Sequence, residues 1–248
     1  MTLPLAALPR DWKAVVMRYR LVFAHGAGRA GVDAWPEQAE LAEEAVFVTF
    51  PGYGAEPPAA TDINSWVDRL LTASADPVHL IAHSYGAIPA AMAAERRPGW
   101  CRSMVLFEPA LYALARGSAS VERHIDRLTP VMTEAGSLDA AAFWRRWMTA
   151  LTGTQPEPAG TTAQLAAAER FRLLAPPWSF QVPTAVFALV PTLVVTAGWN
   201  QEFEEIAQAL ARFGAEHRLL PGKGHRLVDD SAATRLLSDW ATAHDSRI

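Results

Sequence analysis

Residues 82–86 read Ala-His-Ser-Tyr-Gly, between an apolar run, HLIA, and an alanine-rich stretch, AIPAAMAAE. A serine set between a strand pattern and a helix pattern, with small residues two positions to either side, has the spacing of a nucleophile elbow. The turn must be sharp so that the Ser84 hydroxyl stands above the end of a sheet. Alanine at position 82, where the pattern has glycine, leaves that steric requirement intact. A helix starting at the serine also points free backbone N–H groups, including that of Tyr85, at negative charge forming on a substrate. A serine hydroxyl is a poor nucleophile until a base takes its proton, and seven histidines are present. His225 stands on a glycine-rich stretch, LPGKGH, between a strand pattern and the last helix pattern.

The elements that must position these groups follow an α/β order. Short β-branched runs alternate with three- and four-residue apolar spacing, which predicts a mainly parallel sheet flanked by helices. One or two strands are expected over 13–24, and others at 45–50, 77–82, 102–107, 192–197 and 216–220. Helices are expected at 33–44, 62–74, 86–96, 201–213 and 230–243. Between Glu108 and about residue 190 the strand signal stops, and about eighty residues of helical pattern follow. This predicts a helical cap at 109–190 on a core built from 1–108 and 191–248. Within AAFWRRWMTAL, Phe143, Trp144, Trp147, Met148 and Leu151 fall on one face, with Arg145 and Arg146 turned away.

Four landmarks in this order resemble the α/β-hydrolase superfamily over nearly the whole chain: FAHGAG (23–28), FPGYG (50–54), the elbow and LPGKGH (220–225). The resemblance implies an α/β-hydrolase fold with its cap after the sixth strand in the family's order. About twenty residues precede the first landmark strand, so the N-terminal hairpin is expected to be shortened. It also implies an oxyanion hole from the N–H groups of Tyr85 and Ala27, with Gly26 permitting close approach. The family's chain order of serine, acid and histidine selects His225 as base. His25 would brace its own loop, His83 would be turned aside by the elbow, and His124 belongs to the cap. The family's usual acid, after the penultimate strand, is absent: TAGWNQEFEE holds Gln201 at that place and Glu202 beside it. Glu202, Glu204 and Glu205 also suit the first turn of a helix, where acids match its dipole. Glu108, in VLFEPAL after the strand that follows the elbow helix, is similar in place to the acid of haloalkane dehalogenases and zearalenone-type lactonases. It is preferred over Glu202, because the acid must lie buried on the Nδ1 side of the histidine.

The expected activity is that of a serine hydrolase on an apolar carboxylic ester or lactone, through an acyl-enzyme and without cofactor or metal. Dehalogenases and epoxide hydrolases carry aspartate where this chain has Ser84. Two alternatives stand beside it: a carbon–carbon bond hydrolase or lyase on the same scaffold, and a non-catalytic member that binds a small apolar ligand. Trp144, Trp147 and Trp178, with Phe143 and Phe180, supply apolar area for a substrate pocket or for seating the cap.

Composition bounds these readings. Half of the 248 residues are hydrophobic, 22 are basic and 26 acidic, for a net charge of −4. Arg96–Arg97 and Arg145–Arg146 are too short for the basic patch a nucleic-acid partner needs. Cys101 is the only cysteine, which excludes an intrachain disulfide and a cysteine metal site. The opening MTLPLAALPRDW has no basic stretch before its short, proline-broken apolar run, and no apolar run reaches about 20 residues. No membrane association and a cytoplasmic location are expected. An exposed apolar surface of the cap could make a homodimer.

Overall fold

Strands buried on both faces are mostly apolar, and the central strands of this chain follow that rule, as in LIA at 80–82 and TLVVT at 192–196. The computed structural model describes residues 20–41, 43, 45–156 and 160–245. Among these described residues six strands, β1 (Arg20–Ala24), β2 (Ala45–Val48), β3 (Val78–His83), β4 (Cys101–Phe107), β5 (Thr192–Thr196) and β6 (Glu216–Leu219), pair in the order β2-β1-β3-β4-β5-β6. Every pairing is parallel. Alternation along the strands divides the core in two. Val22, Leu80, Leu106 and Val194 face α1 (Ile63–Leu71), α2 (Ala87–Arg96) and α7 (Gln201–Ala211). Phe23, Ile81, Val105 and Val195 face Leu237 and Trp240 of α8 (Ser231–Asp245).

The strand order reverses between β1 and β3: the chain leaves β1 for one edge and, from β3 onward, builds the other. In open α/β sheets the crevice beyond the carboxyl ends at such a reversal is where ligands bind. FAHGAG follows β1 and the elbow follows β3, so the register Ala24↔Ala82 brings the two loops to that crevice side by side.

Between β4 and β5 lie α3 (Ala119–Glu134), α4 (Ala140–Thr152), α5 (Thr162–Phe171) and the short α6 (Ala185–Leu189). Local signals set their limits. Asp139 caps α4 by accepting the Ala142 N–H at 2.7 Å, and Gly153 ends it in the left-handed region at φ 74°. Thr161 and Gln164 form a reciprocal capping box at the start of α5. Val131, Ala135, Phe143 and Ala168 give α3–α5 a small core of their own. Docking to the larger core uses charge as well: Glu205 of α7 accepts the Ser120 and Val121 N–H groups of α3 at 2.9 and 3.1 Å. A core carboxylate thus caps a cap helix.

One expected element is different. Instead of a helix over 33–44 the chain makes two short 3-10 turns, Gly31–Ala34 and Pro36–Leu41. Pro36 disfavours helical backbone at Trp35, which adopts φ −133°, ψ 57° and buries its ring against Phe23 and Phe107. The part of the 13–24 expectation before Arg20 lies outside the described residues.

Candidate active site

Ser84 follows β3 directly at φ 52°, a left-handed conformation that a non-glycine residue adopts only when its surroundings enforce it. The enforcement is visible. The Ser84 carbonyl accepts the Ala110 N–H at 3.0 Å. On the other side, a Cβ at Gly26 would stand 3.1 Å from the Ser84 Cβ, and one at Gly86 would stand 2.5 Å from the His25 carbonyl oxygen. Glycine at 86 is therefore a matter of space, since its own φ is −60°. With both glycines the β1 loop and the elbow lie against each other.

His225, on the turn after β6, places Nε2 3.0 Å from the Ser84 Oγ. Its backbone is fixed by His83, whose Nε2 donates to the His225 carbonyl at 2.8 Å. Burial, and next the charge of His225, push the His83 pKa well below its ordinary value, so the ring is neutral and carries its proton toward that carbonyl. Phe203 of α7 stacks on the His225 ring, with centroids 5.0 Å apart.

Glu108 follows β4, is fully buried, and is among the described residues the other non-glycine with positive φ, 43°. Its Oε2 lies 3.4 Å from the His225 Nδ1. Oε1 accepts the Ala197 N–H at 2.8 Å, and Oε2 also accepts the Trp199 indole N–H at 3.0 Å. A buried carboxylate needs such donors. They come from the loop after β5, where the family's usual acid would stand. That loop supplies donors here instead of an acceptor.

Glu202 is directed elsewhere. It is buried beside the cap, with Oε2 2.9 Å from the His124 Nδ1 and Oε1 accepting the Tyr112 hydroxyl at 3.1 Å. His25 holds its loop to the FPGYG turn. Its Nε2 accepts the Phe50 N–H at 3.2 Å, and Nδ1 donates to the Gly26 carbonyl at 2.6 Å. Burial lowers its pKa to about 4. Ala27 follows in the same loop, its carbonyl bound by the Tyr53 hydroxyl at 3.1 Å. Tyr85 opens the first turn after the elbow, where N–H groups lack intrahelical partners, and its hydroxyl reaches the Ala175 carbonyl at 2.7 Å.

A cavity of about 680 Å³ lies over Ser84 and His225, beneath the cap. Trp144 and Trp147 line it, as do Ala27 and, from outside the expected set, Phe171, Trp199 and Phe203. Gly26 and Trp178 do not. Gly26 is packed beneath the wall against His83 and Ser84. Trp178, on a proline-led 3-10 turn, stands edge-on to Tyr112 and His124 and backs the wall without reaching it. Sequence reasoning gave Trp199 no role and saw His83 only as turned aside by the elbow. Their partners lie 91 and 142 positions away, so no local pattern marks them. Among the described residues no group of three His, Cys, Asp or Glu side chains is arranged to hold a metal, and no helix is long and apolar enough to cross a membrane.

The family model described as alpha/beta hydrolase family matches residues 21–238. The chain belongs to the alpha/beta hydrolase family. No curated protein matches it. Solved structures of similar fold include an alpha/beta hydrolase from Sphaerobacter thermophilus, 20% identical with TM-score 0.64, over 90% of this chain and 92% of that one. A structure from work on carboxylesterases of the thaumarchaeon Nitrososphaera gargenis is 16% identical with TM-score 0.63, over 91% and 90%. An esterase from Thermogutta terrifontis is 17% identical with TM-score 0.64, over 93% and 92%. This alpha/beta hydrolase shares their parallel sheet at identities that speak for the fold alone.

Proposed function

We propose that this alpha/beta hydrolase is a serine esterase acting on apolar carboxylic esters or lactones. The observation that carries the reading is the 3.0 Å contact from the Ser84 Oγ to the His225 Nε2, with Glu108 behind the same ring. In this reaction His225 takes the hydroxyl proton as Ser84 adds to the acyl carbon. The N–H groups of Tyr85 and Ala27 hold the resulting oxyanion, and the protonated His225 gives its proton to the leaving alcohol. Water then adds to the acyl-enzyme with His225 as base, releasing the acid and restoring Ser84. Glu108 keeps the Nδ1 proton in place and stabilises the imidazolium. The chemistry asks for no cofactor. The aromatic cavity wall supports an apolar acyl or alkoxy group. The esterase named among the structural neighbours is a further support for ester chemistry on this scaffold.

A serine-directed fluorophosphonate tests the reading, with an ester series as the turnover assay. The intact protein is expected to be labelled and Ser84→Ala not. Glu108→Gln is expected to lose turnover about 10⁴-fold, by the measure of triads whose acid is neutralised, and far more than Glu202→Gln. Labelling that survives Ser84→Ala, or a larger loss in Glu202→Gln than in Glu108→Gln, overturns the assignment.

A further inference from the structure

Both residues expected to hold the oxyanion are tied to one stretch of the cap. Ala27 stands between Gly26 and Gly28, and a residue flanked by glycines has little backbone restraint from its neighbours. Its peptides are held from outside instead. The His25 ring holds the Gly26 carbonyl at 2.6 Å, and the Tyr53 hydroxyl donates to the Ala27 carbonyl at 3.1 Å. A planar trans peptide points its N–H away from its carbonyl, so fixing the carbonyls on either side of Ala27 fixes where its N–H is aimed. Tyr53 is buried, and Arg170 of α5 covers it. The Arg170 guanidinium lies 5.8 Å from the centroid of the Tyr53 ring, within the reach of a cation–π contact. Its Nε and Nη2 donate to the Gly52 and Gly54 carbonyls at 3.1 and 3.4 Å, which brackets Tyr53 along the chain. Tyr85, the other donor residue, sends its hydroxyl to the Ala175 carbonyl at 2.7 Å. Phe171, next to Arg170, lines the cavity, so the anchor and the substrate wall share one turn of helix. Attachment of the cap has other bonds. Glu205 holds the start of α3, and Thr61 holds the chain after α5 through the Leu173 carbonyl and the Ala175 N–H, at 3.3 and 3.1 Å.

We propose that Tyr53 and Arg170 are positioning residues that join the cap to the oxyanion hole. Arg170 seats Tyr53, and the Tyr53 hydroxyl holds Ala27 where its N–H meets charge forming on the substrate. Helix α5 is then a support of the reacting centre as well as a wall of the cavity. The proposal rests on the serine-esterase reading. Charge on the oxyanion develops in the transition state, so the effect belongs in kcat rather than KM.

The test compares the parent protein with Tyr53→Phe, Arg170→Met, Arg170→Lys and the double variant Tyr53→Phe/Arg170→Met. Turnover is read on 4-nitrophenyl phenylacetate, and two matched ketones serve as inhibitors. Benzyl trifluoromethyl ketone takes the Ser84 Oγ at its carbonyl carbon, the hydroxyl proton passing to His225 and the carbonyl oxygen becoming an oxyanion. Benzyl methyl ketone fills the cavity without adding. Tyr53→Phe and Arg170→Met are each expected to lower kcat about three- to tenfold, the worth of one hydrogen bond, with KM unchanged. The trifluoromethyl ketone is expected to weaken by the same factor and the methyl ketone to hold its affinity. Arg170→Lys, which sets an ammonium near the same carbonyls, is expected to keep part of both. The double variant is expected to match the poorer single one, because the two residues act as a unit. A purely structural role would weaken both ketones together and leave their ratio standing. The proposal is overturned by a parent-like ketone ratio in Tyr53→Phe or in Arg170→Met, or by losses that multiply in the double variant. Where Tyr53→Phe does not fold, Arg170→Met and Arg170→Lys decide, since Arg170 is half-buried and holds no core position. A trifluoromethyl ketone no tighter than the methyl ketone in the parent sinks the esterase reading and this one with it. A tight one whose advantage survives in the variants sinks this proposal alone.

Discussion

At the scale of single residues, Glu108 shows how an acid can leave one loop and be served by another. Its two oxygens take the Ala197 N–H and the Trp199 indole N–H, and the second oxygen also faces His225. Trp199→Phe removes one donor while keeping the ring shape, and hydrogen bonds to charged groups contribute about 1.5–3 kcal/mol. The expected result is kcat about tenfold lower, with a much smaller change in denaturation midpoint because the residue is 54% exposed. Steady-state kinetics beside urea unfolding check it, and an unchanged kcat would remove Trp199 from the account. Ser84 and His225 could be nominated from the sequence because each stands on a turn with its own spacing of small residues. Glu108 could be nominated only as the preferred of two candidate acids, since what distinguishes it is burial and partners from the loop after β5. Glu202 looked like a helix-dipole residue, and the sequence offers no sign that a cap histidine claims it.

Elements decide whether the residues meet. The reversal of strand order between β1 and β3 makes neighbours of the FAHGAG loop and the elbow, and Gly86 lets them touch. Gly86→Ala forces a methyl to within 2.5 Å of a backbone oxygen, and overpacking of this kind costs about 1–3 kcal/mol. The variant is expected to lose that much stability in urea unfolding and to be labelled much more slowly by fluorophosphonate. Labelling at the parent rate would show that the elbow can move without consequence. The alternation of strands and helices was readable because both periods are strong here. The helix expected over 33–44 failed at Pro36, where apolar spacing outweighed a local backbone rule. In the cap, α4 was readable as a helix with an aromatic face, but that face serves two purposes. Phe143 turns into the cap's own core, while Trp144 and Trp147 turn to the cavity. Trp178 has the same composition and a different duty, a distinction that only packing makes.

For the whole molecule, the buried neutral histidines set an acid limit. His25 is lowered to about 4, chiefly by burial, and His83 shifts the same way for the same first reason. A group whose folded pKa lies below its unfolded value of about 6.5 takes up its proton first in the unfolded chain. Stability is then complete above pH 6.5, falls as pH drops toward 4, and loses no more from His25 below that. The His25 share is on the order of 3 kcal/mol. Urea midpoints from pH 7 to pH 4 are expected to fall through this window, and His25→Asn to flatten the slope. A midpoint constant down to pH 4 would contradict the burial of these rings.

Cys101 opens β4 and is buried, its thiol pushed up to about 12 by that burial, and it is the chain's only sulfhydryl. Maleimide dyes should therefore leave the native protein untouched at neutral pH. A single cysteine introduced at Leu151, which is exposed and lines the cavity, would take one fluorophore alone. The molecule comes ready for watching its cap by site-directed spectroscopy, with no background to remove.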